Sequence, residues 1–162
     1  MKPDYLADAH KELREHLLYL LDGGGAHVDF ETVVKDFPLE IINRKAGNVP
    51  YTPWQVLEHM RIAQWDILRF SLDASHVSPP WPEGYWPAPD AEADEAAWNK
   101  SVEAFRKDLD AMKQLVEDPS TDLFARIEHG DGQTILREVL LVADHNAYHL
   151  GVLVTLKRLL TQ

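Results

Sequence analysis

His145 and His149 stand four residues apart in the run His145-Asn146-Ala147-Tyr148-His149. On a helix that spacing stacks both rings on one face, about one turn apart, where they can reach a single metal ion. The run is not the zinc-protease pattern. That pattern needs glutamate where this chain has Asn146, so its built-in general base is missing. Far upstream, His59 borders an apolar arc of Val56, Ala63 and Phe70, and the His145/His149 face borders Val142, Leu153 and Leu156. Two helices that each present histidine beside a core face can build a site between them. Three imidazoles leave a coordination position open, the arrangement of a catalytic rather than a closed structural site. Neutral imidazoles suit Zn, Ni, Cu or Fe better than Mg or Ca, and Zn, Ni or Fe is the expected ion. With ordinary imidazole pKa values near 6.5, occupancy should fall between about pH 6 and 5. The plain alternative is a hydrogen-bonded core histidine at 59 and a structural pair at 145 and 149.

The other chemistry-bearing residues are weighed against that triad. His10 lies among Leu6, Leu13 and Leu17 on an amphipathic segment. It is expected to face the core, as a satisfied histidine or as a fourth ligand closing the site. Tyr148 follows His145 by three residues and could place a phenol near the open position as a proton donor. Its alternative is a half-buried aromatic with its hydroxyl bonded. Asp66 and Glu138 lie seven residues from His59 and His145, two turns or about 10 Å away, too far to share the ion. They are expected to pair with Arg69 or another charge of the bundle. Asp144 points about 100° away from its neighbour His145. His16, His27 and His76 have no partner spacing, and His129 is too far from His145 along the helix to ligate.

Four long segments with helical periodicity must position these groups. The first spans 4–21 and stops at Gly23-Gly24-Gly25. A short helix from 29 to 37 follows, capped by Asp29, and then a connector over 38–51. The second long helix, 52–72, opens with a capping box of Thr52 and Gln55 around Pro53. Residues 73–93 hold half of the ten prolines, with Trp81, Tyr85 and Trp86 among them. That composition is not helical, and three large aromatics argue against disorder. The third helix, 94–117, carries Trp98, Val102, Phe105, Leu109, Met112 and Val116 at spacings of three and four. The fourth spans 133–160. The fold class expected is all-α: a four-helix bundle in one domain over 1–162, with a long crossover between helices two and three that leaves them parallel. Trp81, Tyr85 and Trp86 could form a lid, an anchor for the crossover, or part of a dimer interface.

Composition narrows the function classes. The chain has no cysteine, which excludes a disulfide framework, Cys-ligated zinc, iron–sulfur clusters and a cysteine nucleophile. Twenty-seven acidic against sixteen basic residues, a formal net charge of −11, disfavour nucleic acid and anionic membranes as partners. No apolar signal segment follows Met1, and no apolar run reaches membrane-span length. The expected location is cytoplasmic.

The segment Leu57-Glu58-His59-Met60-Arg61, followed by Ala143-Asp144-His145-Asn146-Ala147-Tyr148-His149-Leu150-Gly151, resembles the DinB-like (DinB/YfiT) superfamily of metal-dependent proteins. The resemblance covers the whole chain: helix number, long crossover and the order of the three histidines. It implies a divalent metal held by His59, His145 and His149, and a homodimer. Where the family commonly has glutamine after the glycine, this chain has Val152, outside the ligand set. The resemblance also implies a transferase or isomerase that uses a low-molecular-weight thiol on a small-molecule substrate. Because the protein has no thiol, any thiolate must come from a ligand. Hydrolysis by a metal-bound water is the other enzymatic route. The alternative to an enzyme is a non-catalytic dimeric metal- or small-molecule-binding module, a stress or sensor protein.

Overall fold

The structure, a computed structural model, describes residues 5–162. It contains five α-helices and, among the described residues, no strand: α1 Tyr5–Asp22, α2 Phe30–Val34, α3 Pro53–Leu72, α4 Glu95–Glu117 and α5 Ile135–Leu160. Asp4, taken as the start of the first helix, and the side chain of Leu6 lie outside the described residues. α3 packs against both α4 and α5, α1 against the same two, and α2 against α5.

Local chemistry explains where these helices begin. Thr52 Oγ1 accepts from the Gln55 amide at 3.2 Å, and Gln55 Oε1 accepts from the Thr52 amide at 3.1 Å. The capping box is therefore complete, with Pro53 in the first turn where a missing N–H costs nothing. Asp29, Asp94 and Thr134 cap α2, α4 and α5 in the same manner. α2 ends at Val34 rather than reaching 37, because Asp36 turns to a φ of +53°. α5 starts at Ile135, two residues later than expected, since Gln133 and Thr134 are held extended beside Ile127 and Arg126.

Trp98, Val102, Phe105 and Met112 are buried as expected, and Leu109 is half-buried. α3 differs from its expected single stripe. Leu57, Gln64, Asp66 and Leu68 are buried as well as Val56, Met60, Ala63 and Ile67, because the helix is covered on two sides. The apolar interior forms two clusters. One gathers around Phe30, Ile41, Leu57, Trp98, Phe105 and Leu153, and the other around Leu17, Leu68, Met112, Val116 and Val139. By length and composition α5 is apolar enough to cross a membrane, which the short apolar runs of the sequence did not suggest. One side of it, with Val139, Val142, Leu153 and Leu156, is buried, and it packs against α1, α2 and α3.

At the seam between the clusters lies Gln64, 1% exposed. Its Nε2 donates to the Phe105 carbonyl of α4 at 2.7 Å, and its Oε1 accepts from Asn146 Nδ2 of α5 at 2.8 Å. One amide thus ties three helices, and the α5 residue it holds is the neighbour of His145. Replacing Gln64 with leucine keeps the volume but leaves Asn146 and the Phe105 carbonyl without that partner. Stability should fall by about 1–3 kcal/mol in urea unfolding. A loss below about 0.5 kcal/mol, within the range of an ordinary surface change, would remove Gln64 from this role.

Candidate metal centre

Across the α3–α5 contact the three histidines meet. His59 Nε2 lies 3.1 Å from His149 Nε2 and 3.1 Å from His145 Nε2. Each of the three residues offers a nitrogen, and these nitrogens all lie within 4.8 Å of one another. No carboxylate belongs to this group among the described residues. His59 is buried, and His145 and His149 are half-buried.

The loop over 73–93 supplies the fourth wall. A short 3₁₀ turn, Glu83–Tyr85, brings the Tyr85 carbonyl to 2.8 Å from His59 Nδ1. A carbonyl only accepts, so Nδ1 carries the proton and His59 Nε2 is a bare lone pair. The next residue, Trp86, stacks on the His59 ring at 3.8 Å with 3° between planes, and Tyr51 stacks on Trp86 from outside at 4.1 Å. Gly84 is required in this turn: a Cβ there would come within 2.7 Å of the Pro79 side chain. Gln55 Nε2, beyond its capping role, donates to the Ala88 and Pro89 carbonyls at 3.2 Å each and fastens the loop's far end.

The donor set suits a metal better than it suits hydrogen bonding alone. His59 Nε2 has one in-plane lone pair, yet two imidazole nitrogens approach it equally closely. Nδ1 of His145 and Nδ1 of His149 are buried with no hydrogen-bond partner among the described residues, and ligation through Nε2 would leave both N–H groups as they are. Bonds of ~2.0–2.1 Å in a tetrahedral site separate two nitrogens by ~3.3 Å, close to the spacings found here.

Electrostatics keep the rings in the form a metal needs. Burial pushes the His145 pKa down to about 4 and the nearby His59 pushes it further the same way, with Asp144 opposing. Burial, then His145 and His59, pushes His149 down to about 3. Burial also lowers His59, partly offset by its bond to the Tyr85 carbonyl. These values lie below the ordinary imidazole range on which the pH 6 to 5 expectation rests, and they move the expected proton competition to lower pH. Protons displace a metal from such depressed bases only in stronger acid.

Several sequence-based placements change. His10 is exposed, packs on Phe124 at 5.6 Å and lies beside Arg14 and Pro119, outside the histidine group, so it is not the fourth ligand. Tyr148 is 69% exposed rather than half-buried, its ring edge-on to His149 at 4.8 Å. It borders a cleft of about 230 Å³ with Val49, Val152 and Leu159. Asp66 does not pair with Arg69, which bonds Asp73 instead. It accepts from His76 Nε2 at 2.7 Å and from the Tyr85 hydroxyl at 2.6 Å. As expected, Glu138 pairs with a charge of the bundle, its neighbour Arg137, and His129 stays outside the histidine group, bonding the Phe70 carbonyl; Asp144 is exposed. Of the readings open for Trp81, Tyr85 and Trp86, a wall over the site fits Trp86 and the Tyr85 carbonyl, which lie on His59. Gln64 and Tyr51 were not assigned to the site from sequence, and nothing marked them.

With this geometry in view, the comparison with known families is direct. The chain matches the DinB superfamily over residues 25–153 and belongs to it. It matches no curated protein and no solved structure.

A pH dependence follows for the metal-free protein. The folded histidines hold protons less well than the unfolded chain, whose imidazoles titrate near 6.5. The unfolded state therefore binds more protons as pH falls, and stability is full above about 6.5 and lost on descent toward 4 and 3. Urea midpoints measured from pH 7.5 to 4 should fall more steeply for wild type than for His145→Gln/His149→Gln. Parallel curves would contradict the depressed values.

Proposed function

We propose that the protein is a divalent-metal-binding bundle in which His59, His145 and His149 are the ligands through Nε2. The observation that carries this reading is the convergence of three nitrogens on one point, with the His59 lone pair directed there by the Tyr85 carbonyl. In this reading α1, α3, α4 and α5 make a four-helix bundle and residues 73–93 form its crossover. The imidazole donor set favours Zn, Ni or Fe.

When bound, such an ion supplies a Lewis acid that lowers the pKa of a coordinated water or thiol. The chain's own residues hold and orient. His59 is locked between Trp86 and the Tyr85 carbonyl, Asn146 is held by Gln64, and depressed pKa values keep the rings unprotonated at neutral pH. We propose metal-dependent chemistry on a small-molecule substrate, either thiol-dependent transfer with an external thiol or hydrolysis. The acidic charge disfavours a nucleic-acid partner. A second reading is favoured by one observation: no carboxylate joins the histidine group among the described residues. That suits a non-catalytic metal- or small-molecule-binding module, cytoplasmic and dimeric like the enzyme reading.

Equilibrium dialysis against Zn, Ni and Fe(II) should find one ion per chain, retained at pH 5.5 and removed by chelator. His145→Ala/His149→Ala should lose tight binding. Failure of the wild-type protein to take up any of these ions would end the metal reading. If metal binds, turnover of electrophiles with added small thiols separates enzyme from binding module.

A further inference from the structure

Asp66 lies two turns from His59 on α3, ~10 Å along the axis, and is too distant to ligate anything His59 holds. It is nevertheless 7% exposed, and both its oxygens are occupied. Oδ1 accepts from His76 Nε2 at 2.7 Å and Oδ2 from the Tyr85 hydroxyl at 2.6 Å. A carboxylate is retained in a buried place only when its lone pairs are satisfied, and here both donors come from the same loop. His76 packs edge-on against Trp65 of α3 at 5.0 Å, which fixes the direction of its donor.

Tyr85 therefore touches α3 twice. Its hydroxyl is on Asp66, and its backbone carbonyl is on His59 Nδ1 at 2.8 Å. The residue lies along the helix and spans the two turns between them. Its own amide bonds the Pro82 carbonyl, so the turn that carries it has little freedom of its own. If the hydroxyl end is released, the carbonyl end keeps that turn and the Trp86 stack beside it, with Gln55 holding the loop further on at Ala88 and Pro89.

We infer that Asp66 is a positioning residue: by latching the Tyr85 hydroxyl it holds the Tyr85 carbonyl on His59 Nδ1, and so keeps the His59 Nε2 lone pair turned toward His145 and His149. The inference deepens the metal reading above and rests on it for its consequence, while the proton placement on His59 is a property of the protein without metal. Outer groups that orient a ligating imidazole usually change metal affinity by about 10–100-fold when removed.

Two variants test it. Tyr85→Phe keeps the ring and carbonyl and deletes the hydroxyl. Asp66→Asn keeps the shape, removes the charge and gives one of the two donors an amide N–H to face. Arg69→Ala is the control, because it breaks the exposed Arg69–Asp73 pair at the start of the same loop and leaves Tyr85 untouched. In metal-free protein, nitrogen-15 imidazole spectra should show His59 protonated on Nδ1 in wild type and in Arg69→Ala. A mixture of Nδ1 and Nε2 forms should appear in Tyr85→Phe and Asp66→Asn. Zinc affinity should fall 10–100-fold in those two variants and stay within twofold in the control. Thermal melting of each metal-free variant identifies any that fails to fold, and the remaining variant then decides. Unchanged His59 tautomer and unchanged zinc affinity in a folded variant would overturn the inference. A wild-type protein that binds no metal would sink the metal reading instead, with the tautomer spectra still deciding the role of Asp66.

Discussion

The carbonyl of Tyr85 accepts a hydrogen bond from Nδ1 of His59, and that fixes which His59 nitrogen faces the other two rings. With Nδ1 as donor, Nε2 is left with a single lone pair 3.1 Å from the Nε2 atoms of both His145 and His149. Neutral imidazoles can make only one good hydrogen bond to such an atom. With protons on Nδ1 of all three rings, the converging Nε2 atoms would suit a ligand set better than a hydrogen-bonded core. The burial that lowers the His145 and His149 pKa values strengthens the same preference, since it removes the option of protonating them near neutral pH.

Holding that arrangement takes contacts from three directions. Gln64 spans α3, α4 and α5 with a single amide and holds Asn146, beside His145, against α3. The Gln55 side chain closes the helix cap with one atom and binds the Ala88 and Pro89 carbonyls with the other. Asn43 Nδ2 donates to the Ala93 carbonyl and its Oδ1 accepts from the Ala93 amide, joining the connector before α3 to the segment before α4. These are buried or half-buried amides with most of their polar groups matched. Such networks specify one packing more sharply than an apolar seam does. They fix the helices and the loop that carry the histidines, and among the three rings His59 has its outer nitrogen hydrogen-bonded.

The charge distribution separates the site from the surface. The chain carries a formal charge of −11, yet no carboxylate belongs to the histidine group among the described residues. Asp66, two turns along α3 from His59, spends both oxygens on loop donors. It also helps burial push the Tyr85 phenol up to about 12, so this hydroxyl stays a donor throughout the ordinary pH range. A neutral ligand set would leave a divalent ion with its full charge, which would favour an anion in any open position.

Read alone, the sequence determined the helical character of the chain, the capped start of α3, the long irregular 73–93 segment and the three histidines. Each is a local matter: periodicity, a capping box, proline density, and i, i+4 spacing. Membership in the DinB superfamily was legible too, because it rests on those same motifs in order. Tertiary structure alone decided the rest. His10 has a spacing that suits the core, yet it is exposed beside Phe124 because the packing of α1 directs it elsewhere. Gln64 looks like an ordinary polar helix residue until α4 and α5 cover it from two sides. Asp66 and Tyr85 are nineteen residues apart, and no periodicity relates them. The path of the proline-rich loop brings them together, and a loop's path is set by long-range contacts that local spacing does not encode.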